Sequence, residues 1–134
     1  MLDIQFIRSC ADEVRAAIRN KGLDLDLDDL LAADKQRRES TTVLEQRRAR
    51  KNELSALIPK ASKEERPKLV DEAKHVRVEI EDLEAKVAEI QRTYQELMLR
   101  VPSVPRPEVP LGKGEADNIE VKRVGEPRRF DFPP

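Results

Sequence analysis

Apolar residues recur in the second half of the chain with an unbroken alternation of four and three. The run is Leu69, Ala73, Val76, Ile80, Leu83, Val87, Ile90, Tyr94, Leu97 and Val101. This is a heptad seam, and Lys and Glu fill most positions between its members. It predicts one helix over roughly 68–100, about 50 Å long at 1.5 Å per residue. A helix with so narrow an apolar stripe cannot bury it alone, so it requires a partner helix. Residues 27–58 supply one, with a weaker seam at the same spacing: Leu30, Ala33, Arg37, Ser40, Leu44, Arg47, Lys51, Leu54 and Ile58. Pro59, Ser62 and Pro67 interrupt helix between the two segments. So short a connection forces antiparallel neighbours.

A register follows. Pairing positions whose numbers sum to 127 sets Ile58 against Leu69, Leu54 against Ala73, Leu44 against Leu83, and small Ala33 against large Tyr94. The basic seam residues Arg37, Arg47 and Lys51 are not core formers. They are expected to lay their methylenes along the seam and hold their charges outside it.

The flanking segments differ in kind. In the first 26 residues, Asp3 is placed to cap a turn holding Ile4, Phe6 and Ile7. Val14, Ala17 and Ile18 form a helical stripe, and Gly22 stands where a left-handed C-terminal cap belongs. After Arg100, the stretch VPSVPRPEVP carries Pro102, Pro105, Pro107 and Pro110, which favour an extended connector. A turn-rich LGKGEADN follows, and IEVKRV (119–124) alternates in the manner of a short strand. Phe130 and Phe132 fall on one side of the extended end and suggest the edge of a further structure. The expected fold is all-α: a long antiparallel two-helix coiled-coil hairpin with short N-terminal helices and an extended C-terminal connector with a short strand. Its parts are 1–26 at the base, 27–100 as the arm with a tip near 59–67, and 101–134 as connector.

Composition supports helices over a thick core. Aromatic residues make up 3% of the 134 and charged residues 40%, with no Trp. No apolar run approaches the roughly 20 residues that span a bilayer, and the N-terminus lacks the apolar stretch of a secretory signal. One Cys and one His exclude an intramolecular disulfide and any site needing two of either. A soluble, cytoplasmic protein without membrane partners is expected.

Charge changes the picture more. The formal net charge is −1, but residues 35–68 carry 11 basic and 5 acidic side chains, while 69–99 carry 4 basic and 8 acidic. The basic block is either one half of a charge-matched helix pair or a nucleic-acid surface. Its candidates are Arg37, Arg47, Arg48, Arg50, Lys51, Lys60, Lys63, Arg66 and Lys68, from mid-arm to tip. They spread around the helix, a distribution suited to reading phosphate shape with little base specificity. No catalytic constellation or metal-ligand cluster is visible. Gly112-Lys113-Gly114 lacks the spacing of a phosphate loop and reads as a turn. His75 falls outside the seam and reads as solvent-facing, and Tyr94 reads as packing.

Three stretches resemble the N-terminal arm of bacterial seryl-tRNA synthetases. They are the opening MLDIQFIR with VRAAIRNKG and LDLDDLLAADKQRR, the middle RRARKNELSALIPKA, and the exit LMLRVPSVPRPEVPLGKGEADNIEVKRVGEPRRFDF. The exit is the most specific, because its prolines, glycines and Asp117-Asn118 are not dictated by heptads. Val124 departs from the pattern, standing where an aromatic residue is expected. The resemblance implies a coiled-coil arm that reaches across a homodimer to bind the long variable arm and elbow of serine tRNA, and of selenocysteine tRNA where that exists. It also implies a class II catalytic domain that activates serine with ATP and Mg2+. The chain ends where that domain would begin. It is therefore expected to be inactive alone, to hold no cofactor, and to lack the family's dimer interface. The alternative from the residues themselves is a structural adaptor that binds a partner helix.

Overall fold

A computed structural model describes residues 2–112 and 114–126. Four α-helices follow in order: α1 (Ile4–Ser9), α2 (Ala11–Asn20), α3 (Leu27–Leu57) and α4 (Arg66–Arg100). Short 3-10 turns occupy Ile58–Lys60 and Glu115–Asp117. The chain divides into two compact units, Met1–Val104 and Pro105–Pro134.

Local chemistry sets the helix ends. The Asp3 side chain accepts a hydrogen bond from the Gln5 backbone N–H and caps α1, and Asp26 does the same for α3 through Asp28. Helix α2 ends on Gly22 at φ +61°. There the Leu23 N–H donates to the Ile18 carbonyl at 3.1 Å, a closure that needs the left-handed conformation glycine adopts freely. Gly112 is constrained by space, since a Cβ there would lie 2.5 Å from that of Asp117.

α3 and α4 pack side by side in opposite directions. All ten predicted seam positions from Leu69 to Val101 are buried or half-buried, while their neighbours on the opposite face are exposed. The partner seam is patchier. Leu30, Ala33, Leu44 and Leu54 are buried, Arg37, Ser40 and Ile58 are half-buried, and Arg47 and Lys51 stay exposed. Three ion pairs cross between the helices: Arg50–Glu72 at 2.6 Å, Arg47–Glu79 at 3.2 Å and Arg48–Glu84 at 2.8 Å. Their residue numbers sum to 122, 126 and 132, which bracket the expected 127.

The core lies in two places. At the base, Ile7, Val14, Ile18, Leu25, Leu27, Leu30 and Met98 form one cluster, with Val101 and Val104 packed against it. The start of the proline-rich segment is thus part of the base, and Lys21 donates to the Ser103 hydroxyl at 3.3 Å. Nearer the tip, Leu44, Leu54, Val76 and Ile80 form the second cluster, joined by Leu69, Ala73, Leu83 and Val87.

The expected strand at 119–124 does not form among the described residues. A single alternating segment has no ladder of its own, and no neighbour supplies one. Ile119, Val121 and Val124 are strongly exposed, Val121 at 94%. Phe130, Phe132 and Lys113 lie outside the described residues.

Leu54 is fully buried in the tip-side cluster, at 0% exposure. Leu54→Ala is expected to cost about 2–5 kcal/mol, read as a lower midpoint in thermal or denaturant unfolding followed by circular dichroism. A decrease under about 0.5 kcal/mol would mean that this cluster does not hold the hairpin closed.

Candidate nucleic-acid interface

The tip is built by three local devices. α3 runs into a 3-10 turn with Pro59 in its first positions, where proline's missing N–H costs nothing. Ser62 then pairs reciprocally with Glu65. The Ser62 hydroxyl donates to Glu65 Oε2 at 2.8 Å, the Glu65 carboxylate accepts the Ser62 N–H at 3.4 Å, and the Glu65 N–H donates to Ser62 Oγ at 3.3 Å. This reciprocal pairing has the form of a capping box and closes the turn that leads into α4. Pro67 sits in the first turn of α4, where it is tolerated.

The turn therefore holds Lys60, Lys63, Arg66 and Lys68 at exposed positions. Two open grooves flank it. One is lined by Leu57, Lys60, Ala61, Glu65, Lys68 and Leu69. The other is lined by Lys63, Arg66, Pro67, Val70, Asp71 and Lys74.

The nine basic candidates fall into three environments. Arg37 is half-buried near the base, its Nη2 3.2 Å from Asp34 Oδ1 and its guanidinium 4.6 Å over the Tyr94 ring. Mid-arm, Arg47, Arg48 and Arg50 each hold an acid of α4. Arg50 is the most committed: its Nη1 donates to Glu53 at 2.7 Å, and its Nε and Nη2 both donate to Glu72 at 2.9 and 2.6 Å. Hydrogen bonds from Arg50 to Glu53 and then Glu72 push its already high pKa further up. Lys51, Lys60, Lys63, Arg66 and Lys68 form the third group, with no side-chain hydrogen bond or ion pair among the described residues.

The base holds a feature that the residue pattern did not single out. Asp34 is 0% exposed. Its Oδ2 accepts from Arg38 Nε at 3.1 Å and lies 3.8 Å from Arg8 Nε of α1, while Oδ1 faces Arg37. One buried carboxylate thus gathers three guanidinium groups and ties α1 to α3. Arg37 Nε is buried without a partner among the described residues. Burial pushes the Tyr94 phenol upward in pKa, and the Arg37 charge opposes that shift. A second tie joins Arg100 of α4 to the Asp24 carbonyl. The spacing of Asp34 to Arg37 and Arg38 was visible as ordinary helix pairs, but its burial depends on where α1 docks.

Chemistry of other kinds has little foothold. Among the described residues, no group of three or more His, Cys, Asp and Glu side chains could hold a metal ion, and no helix is long and apolar enough to cross a membrane. His75 is exposed and Tyr94 half-buried in the seam.

Residues 1–105 match the family model of the seryl-tRNA synthetase N-terminal domain. A serine–tRNA ligase from Deinococcus radiodurans is 43% identical over 134 residues, which is 100% of this chain and 32% of that protein. One from Thermotoga neapolitana is 42% identical over 139 residues, again 100% of this chain and 33% of that protein. The chain thus spans about a third of the length of these curated relatives. A crystal structure of seryl-tRNA synthetase from Pyrococcus horikoshii complexed with ATP superposes with a TM-score of 0.74 at 28% identity, covering 88% of this chain and 28% of that one.

The Asp34 contacts generate a stability prediction. Asp34→Ala removes the shared acceptor of three partly exposed guanidinium groups and is expected to cost about 1–3 kcal/mol, measured by denaturant unfolding. Hydrogen exchange should quicken in α1 more than at the tip. Equal exchange in both variants would mean that Asp34 does not anchor α1.

Proposed function

The chain belongs to the family of seryl-tRNA synthetase N-terminal domains, and from that premise we propose that its helical hairpin is a tRNA-binding arm. It recognises the long variable arm and elbow of serine tRNA by backbone and shape. The single observation that carries this reading is the set of exposed cations at the turn between α3 and α4, held on the helix pair away from the base core. Phosphates are contacted there by lysines and arginines, which neutralise charge and release counterions without reading base edges. A shape-reading surface suits structured RNA, whose deep major groove hides its bases from side chains. Within this reading, residues 1–26 set the base, 27–100 form the arm, and 101–134 form the connector.

The rest of the longer relatives' length would supply the chemistry. There, ATP and Mg2+ would activate serine for transfer to the tRNA that the arm has placed. No residue of this chain is assigned to ATP, Mg2+ or serine. Cytoplasmic residence, a homodimeric parent protein and use of selenocysteine tRNA belong to the same proposal. The reading as a structural adaptor for a partner helix is disfavoured, because α3 already covers the seam of α4 along its length.

The test is a gel shift with the 134-residue chain at fixed salt, comparing serine tRNA with the same tRNA after removal of its long variable arm. Intact tRNA is expected to bind more tightly by about tenfold or more, equivalent to about 1.4 kcal/mol. Equal binding would reduce the interaction to general charge attraction and sink the proposal.

A further inference from the structure

We propose that the basic block is divided in function. Lys60, Lys63, Arg66 and Lys68 at the tip contact RNA phosphates, whereas Arg47, Arg48 and Arg50 are cross-helix struts that contribute little to RNA binding. This rests on the tRNA-binding reading above and refines it.

Electrostatics separates the two groups. A cation gains from meeting a phosphate chiefly when its counter-charge is mobile salt, because releasing those ions drives the association. Arg47, Arg48 and Arg50 have fixed counter-charges instead, in Glu79, Glu84 and the Glu72–Glu53 pair. A phosphate approaching them would have to displace a carboxylate or lie beside one, and adjacent like charges repel. Arg50 would forfeit three donated hydrogen bonds. These arginines also span the stretch where α3's own seam carries Arg47 and Lys51 between Leu44 and Leu54. Pairing across the helices there compensates for a gap in the apolar packing.

The tip has the opposite character. Residues 58–68 carry four basic and two acidic side chains. Of the two acids, Glu65 is turned back onto Ser62 in the capping box, which leaves Glu64 as the acid not so engaged. The nearest acid along α4, Asp71, pairs with Lys74 at 3.0 Å. The four tip cations make no ion pair among the described residues, so their counter-charge is solvent salt. The proline in each flanking turn and the capping box hold their backbone in place, lowering the ordering cost of binding.

The division is tested by the salt dependence of binding in two variants of the 134-residue chain. One carries Lys60→Gln, Lys63→Gln, Arg66→Gln and Lys68→Gln. The other carries Arg47→Gln, Arg48→Gln and Arg50→Gln. The slope of log K against log salt falls by about one for each phosphate that is no longer neutralised. For serine tRNA, the slope of the tip variant is expected to be shallower by about three to four, with unchanged helicity. That of the mid-arm variant is expected to change by less than about one, with a lower unfolding midpoint. If the mid-arm triple variant unfolds, Arg47→Gln and Arg48→Gln are read singly against single Lys60→Gln and Lys63→Gln, since exposed pairs of this kind contribute little to stability. A mid-arm single whose slope falls by about one, as that of a tip single is expected to, would equally overturn the division. A mid-arm variant of intact helicity whose slope fell as far as that of the tip variant would overturn the division. The same measurement on a plain RNA duplex separates this result from the parent reading. If serine tRNA were bound no better than the duplex, the tRNA-binding reading would fail, while the two slopes would still decide where phosphate is held.

Discussion

The burial of one narrow seam governs this molecule. α4 carries an apolar stripe too thin to be stable in water and too long to fold over on itself. It becomes a structure only when α3 covers it. Because the connection between the helices is short, covering the seam also fixes their direction and places the turn at the far end from the base core. The exposed cations of the turn owe their position to the apolar packing of the two helices that flank it.

α3 meets that demand incompletely, and the compensation is visible. Its seam alternates buried Leu30, Ala33, Leu44 and Leu54 with Arg37, Ser40, Arg47 and Lys51. The apolar core accordingly separates into a base cluster and a tip-side cluster. Between and around them polar groups take over. Arg47, Arg48 and Arg50 reach across to acids of α4, and Arg37 lies between Asp34 and the Tyr94 ring. Exposed pairs contribute little stability individually. Their value here is directional, since each pair forms in only one alignment of the two helices.

At the base, a buried carboxylate does what additional apolar area would do in a larger domain. Asp34 draws Arg8 of α1 and Arg37 and Arg38 of α3 to one point. Leaving the buried Asp34 carboxylate without these partners would be costly. The base therefore has a preferred arrangement even though the short helices offer few large side chains. Under the proposed reading this arrangement has a purpose, since an arm that places RNA for a distant reaction must hold its direction.

The residue order alone determined the helical hairpin, its near register and its turn. A heptad seam is a local, periodic property, and prolines and glycine act on their own backbone. It also made the basic block legible, but not its meaning. Charge-matched pairing and RNA contact draw on the same lysines and arginines, and only the facing of α3 against α4 shows which cations meet fixed acids. The buried role of Asp34 was hidden for the same reason, since burial depends on an element distant in sequence. IEVKRV errs in the other direction. Alternation is written in the chain, but a strand exists only where a second strand accepts its hydrogen bonds. What a residue does through its own backbone could be read in one dimension, and what it does through a neighbour waited for three.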